Sequence, residues 1–112
     1  MNIPNKLKIC GQMYDILIPY KFSERGDIVG QCDNCCLKIK LSTIDCWTGN
    51  KLPESVIAEN FLHEILHAVD SLSGHLIFKD NEPAIEGIAA LLFQTLRDNK
   101  LNFSEKDGFP KD

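Results

Sequence analysis

The sequence predicts an α+β domain: an N-terminal antiparallel β-sheet over about residues 6–45, then two packed helices over about 55–72 and 81–99. Three observations carry this expectation. The first forty-odd residues contain short runs that alternate apolar and polar side chains; from residue 55 onward the apolar positions recur at helical spacing; and the two patterns do not interleave. All 112 residues are expected in a single domain, because no shift in composition divides the chain.

Leu7–Cys10 and Met13–Ile18 flank Gly11-Gln12, the pattern of a hairpin with a glycine-containing turn. Pro19 ends the second strand, having no N–H to give to a ladder. Residues Ser23 to Asp27 read as a loop, and a further strand is expected to begin at Ile28-Val29. Cys32-Asp33-Asn34-Cys35 has turn chemistry at its centre. In Leu37–Leu41 the apolar Leu37, Ile39 and Leu41 share one face and Lys38 and Lys40 the other, which predicts a half-buried antiparallel or edge strand with lysines guarding the edge. Trp47–Lys51 is a loop. The first helix opens either with Ser55 as N-cap or with Pro53 and Glu54 in its first turn, and ends near Ser73-Gly74. Pro83 suits the first turn of the second helix, and the polar tail from Leu101 to Asp112 is expected to be loosely held.

With 12 basic against 16 acidic residues the formal charge is −4, and no Lys/Arg run occurs. That offers nothing to a nucleic-acid backbone. The N-terminus opens no apolar targeting segment and no stretch approaches membrane-spanning length, so a cytoplasmic protein without membrane contact is expected. The five cysteines (Cys10, Cys32, Cys35, Cys36, Cys46) are odd in number, which argues for free thiols over a disulfide framework. A structural zinc site at Cys32-x-x-Cys35-Cys36 would need Cys46 or Cys10 as a further ligand. No sequence feature specifies the oligomeric state.

The motif that carries chemistry is His63-Glu64-Ile65-Leu66-His67. On a helix the two histidines lie about 40° apart, with Asp70 on the same side, while Ala58, Phe61, Leu62, Ile65, Val69 and Leu72 gather opposite. Imidazoles four residues apart can reach one ion through their ring nitrogens. Glu64, about 100° from His63, can instead reach a water on the ion's open side and take its proton. A catalytic zinc commonly has three protein ligands and one open position. His75, Asp80, Glu82 and Glu86 are the downstream candidates for the third. Glu86 is favoured, since it borders the apolar face of the second helix, where an ionised carboxylate is costly unless paired or ligated.

The spacing of HEILH, eighteen residues and Glu86 resembles the gluzincin branch of zinc metallopeptidases, the thermolysin and aminopeptidase pattern. Phe61–Asp70 with Ala84–Ala89 and Leu96–Asn99 is similar, over roughly residues 55–100, to small predicted metallopeptidases of phages and other mobile elements. The resemblance implies a minimal zincin-like domain binding one Zn2+ ion through His63, His67 and Glu86, with Glu64 as general base. The metzincin pattern would instead demand a histidine where Ser73 stands. In thermolysin-like enzymes an acidic residue one turn beyond the ligand glutamate supports a ligand histidine; that position is Ala90, and Asp70 is expected to take over the task. The expected function is hydrolysis of a peptide or protein substrate. The alternatives are a catalytically silent metal-binding interaction module and a zinc amidohydrolase acting on a non-peptide substrate. Stabilisation of the oxyanion is left open among His75, Tyr14, Tyr20 and Arg97.

Overall fold

A computed structural model describes residues 3–22 and 28–101. The expected loop at 23–27 and the expected loose tail from 102 onward lie outside the described residues. The order is β1 (Lys6–Ile9), β2 (Gln12–Leu17), β3 (Gly30–Asp33), β4 (Lys38–Leu41), α1 (Glu54–Leu72) and α2 (Glu82–Asp98). An α+β arrangement with the sheet first and two helices after it is therefore present, and both helix spans fall within a residue of expectation.

The β1–β2 hairpin turns through Cys10 and Gly11, both at positive φ (49° and 85°), with Ile9 opposite Gln12. Two left-handed residues in a two-residue loop match the twist of the flanking strands, so the turn sits one residue earlier than Gly11-Gln12.

The sheet is mixed, not antiparallel throughout. Its order is β1-β2-β4-β3, and β4 runs parallel to β2 while β1 and β3 are antiparallel to their neighbours. The chain leaves β2, builds β3 on the far side and returns through the 34–37 turn, so β4 inserts between β2 and β3. Leu37–Leu41 is thus not an edge: β4 is central, and the edges are β1 and β3, the latter beginning at Gly30 and not at Ile28. The central position completes the burial of Ile39 and Leu41, both wholly inaccessible. Lys38 stands between Asp15 and Asp33 across the two ladders, and Lys40 lies over the Tyr20 ring at 5.0 Å. The lysines therefore balance charge on the outer face of the sheet, and protect no edge.

The inner face sets Ile9, Tyr14, Ile16, Ile39 and Leu41 against Ala68 of α1, with Phe61, Ile65 and Val69 packed around them. α1 starts from Pro53 with no side-chain cap and closes with Gly74 at φ 72°. α2 is capped by Asn81, whose Oδ1 accepts from the Ala84 amide at 3.2 Å, with proline in its first turn. Among the described residues no helix is long and apolar enough to cross a membrane.

Candidate metal centre

α1 lies with its sheet-facing side buried through Ile57 and Ala68, which turns His63 and His67 to the rim of a pocket of about 720 Å³. β3 forms one wall of that pocket through Gly30 and Cys32, and the first two turns of α2 form another through Glu82 and Glu86. The side chains of His63 and His67 are 17% and 25% exposed.

Their Nε2 atoms converge, 3.1 Å apart. The carboxylate that meets them is that of Glu82: Oε1 lies 2.6 Å from His63 Nε2 and Oε2 lies 2.8 Å from His67 Nε2. Glu86, the expected third ligand, is one helical turn further on; it lines the same pocket but is not part of this three-residue group. Zinc bonds of about 2.0–2.1 Å at tetrahedral angles hold neighbouring ligand atoms roughly 3.3 Å apart. The two imidazole nitrogens already stand near that spacing at 3.1 Å, and the carboxylate oxygens at 2.6 and 2.8 Å need to draw back by about half an ångström or somewhat more, so the donor set fits the ion. A carboxylate in the first turn of α2 also sits at the favourable end of the helix dipole.

Why Glu82 and not Glu86 reaches the histidines follows from the loop before it. Asp70, one turn beyond His67, is wholly buried, and its carboxylate accepts from the amides of Phe78 (2.8 Å) and Asp80 (3.1 Å). His75 Nδ1 lies 3.1 Å from both Asp70 Oδ2 and Asp80 Oδ1. The loop is thereby folded onto the end of α1, and Asn81 starts α2 immediately, so that the very next residue, Glu82, lands over the imidazoles. Asp70 does not support a ligand histidine as expected; it secures the loop that delivers Glu82. Burial alone would raise its pKa, but the Phe78 amide, His75 and the Asp80 amide outweigh this and hold it below the ordinary aspartate value. The hydrogen bond to Asp70, opposed by partial burial and helped by the Asp80 charge, raises the His75 pKa. His75 is thus drawn into this clamp and away from the pocket.

Glu64 is only 7% exposed and lies against β3 in the same pocket. Burial first, then the neighbouring Glu82 charge, pushes its pKa up to about 7. A carboxyl group poised there can take and return a proton at neutral pH. One turn earlier on the helix, Asn60 also lines the pocket, and its Nδ2 is buried without a hydrogen-bond partner among the described residues.

None of the four residues considered for the oxyanion lines this pocket. The Tyr14 hydroxyl donates to Asn34 Oδ1 at 2.8 Å in the core; Tyr20 stacks edge-on with Phe22; Arg97 borders a separate apolar groove at the far end of α2. The cysteines do not assemble either. Cys35 and Cys36 are exposed, while Cys32 turns its Sγ to Asn34 Oδ1 at 3.2 Å. Burial, then the charges of Glu64 and Asp33, raise the Cys32 thiol pKa to about 12, so it stays protonated.

Fold and site together describe an α+β domain that presents two helical imidazoles and a carboxylate to one point. Compared with protein-family models, curated proteins and solved structures, the chain matches none.

Proposed function

We propose that this protein is a zinc-dependent hydrolase, a metallopeptidase in which His63, His67 and Glu82 hold the ion and Glu64 is the general base. The observation that carries the reading is the convergence of the two imidazole Nε2 atoms, 3.1 Å apart, on the Glu82 carboxylate, whose oxygens lie 2.6 and 2.8 Å from them, beside a buried glutamate whose pKa is about 7. Zinc bound there would supply a Lewis acid that lowers the pKa of water towards about 7. Glu64 takes the water proton and returns it to the leaving amine, which its pKa permits in both directions near neutrality.

A peptide substrate is favoured over another amide by the wall of the pocket. β3 is an outer strand of the sheet, and an extended peptide can pair with such a strand along its free side while its scissile bond lies over the histidines. A cytoplasmic setting suits the five free thiols.

Metal content of the purified protein and of a His63→Ala variant tests the first half of the reading, with one zinc per chain expected in the parent and none in the variant. Incubating the zinc-loaded protein with a mixed peptide library, and reading new termini by mass spectrometry, tests the second. Cleavage is expected from the parent and not from Glu64→Gln, which should keep its zinc. Activity that survives Glu64→Gln removes the general-base assignment, and zinc retained by His63→Ala removes the metal site.

A further inference from the structure

We propose that Gly30 is a positioning residue for Glu64: the side chain missing from this point of β3 makes the recess that holds the general-base carboxylate at the pocket wall. This rests on the hydrolase reading above.

Glycine weakens a strand, because it gives up more conformational freedom than other residues and has no side chain to pack. Gly30 nevertheless opens β3, paired with Leu41 of β4. Its backbone does not require glycine, since it is not among the residues at positive φ. What requires glycine is space. A Cβ at Gly30 would stand 2.9 Å from Glu64 Oε2 and 3.4 Å from both Cδ and Cγ. Ordinary contact begins near 3.4 Å, so with any larger residue the carboxylate must retreat by about half an ångström or more. Alternation along the strand puts Cys32 on the same side as Gly30, and it is the Glu64 charge that Cys32 feels after burial. The glutamate is therefore seated over this strand face.

The same geometry separates a positioning role from a folding role. The atom that must move is the far end of a flexible side chain, and such a shift costs the fold little. A displacement of this size matters far more to proton transfer, where misplacement by about 1 Å can cost roughly 100-fold.

The test compares the parent, Gly30→Ala, Glu64→Gln and the double variant, each loaded with zinc and given the same mixed peptide library. Gly30→Ala is expected to keep one zinc per chain and an unchanged melting temperature, and to cleave at least about 10-fold more slowly. The double variant, like Glu64→Gln alone, is expected to show no cleavage and to keep its zinc, because both changes act through one carboxylate. Parent-like cleavage by Gly30→Ala or loss of its zinc would each overturn the proposal. Crystal structures of the parent and of Gly30→Ala test it without any substrate. The Glu64 carboxylate should move off β3 while His63, His67 and Glu82 stay in place. An unmoved carboxylate with a displaced strand would refute positioning. A parent that cleaves nothing would refute the hydrolase reading instead, and leave this structural arm standing.

Discussion

Replacing Glu82 and Glu86 with glutamine, one at a time, distinguishes the two carboxylates that α2 offers to the pocket. Glu82 lies 2.6 and 2.8 Å from the two imidazole nitrogens, so at the proposed zinc site Glu82→Gln would exchange a charged ligand for a neutral, weaker donor. Removing a group that merely supports a ligand costs 10- to 100-fold in metal affinity as a rule of thumb, so losing a direct ligand should exceed roughly 100-fold, or about 2.7 kcal/mol. Glu86 is four residues along the helix, an axial rise of about 6 Å. Glu86 lines the pocket outside the converging group, so without sliding α2 by a turn its carboxylate attracts the ion only through solvent, worth roughly 1 kcal/mol or less. Glu86→Gln should therefore weaken binding less than about fivefold. Titrating each metal-free protein with zinc against a competing chromophoric chelator at neutral pH reads both values. If Glu86→Gln loses zinc and Glu82→Gln keeps it, the placement of α2 over the histidines is refuted, and the ligand expected from sequence spacing is reinstated.

Two further outcomes can be stated. Folding raises the His75 pKa above 6.5 and lowers the Asp70 pKa below 3.8, so the clamp's contribution is complete between those values. It is lost as pH rises through the folded pKa of His75 or falls through that of Asp70. In urea melts of the metal-free protein, His75→Ala should therefore lie further below the parent at about pH 5.5 than at about pH 8.5; a gap that widens at the higher pH would contradict the sign. Cys35→Ser and Cys36→Ser should leave zinc stoichiometry unchanged, because both thiols are exposed and stand outside the donor group. Loss of zinc from either variant would move the metal to the cysteines.

The parts of this protein that the sequence itself determined are those governed by local periodicity. The span of α1, the shared face of His63 and His67, and the inward alternation of Ile39 with Leu41 all follow from fixed repeats of 3.6 and 2 residues. The tertiary structure decided what depends on distant meetings. Nothing in the residues of β4 says that it will lie between β2 and β3, since an amphipathic strand suits a one-sided sheet at its centre as well as at its edge. The choice between Glu82 and Glu86 lay equally out of reach. Both were candidates by composition, and the helical wheel favoured Glu86 because it assumes a face packed along the whole helix. The first turn of α2 is instead aimed by a loop in which Gly74, His75, Lys79 and Asp80 all adopt positive φ, three of them non-glycine residues with no sequence signature for that conformation. That loop is tied down by the buried Asp70, whose place on the histidine face made it look like a ligand's support. Its carboxylate went to the loop amides because a wholly buried charge must find donors, and those amides supplied them.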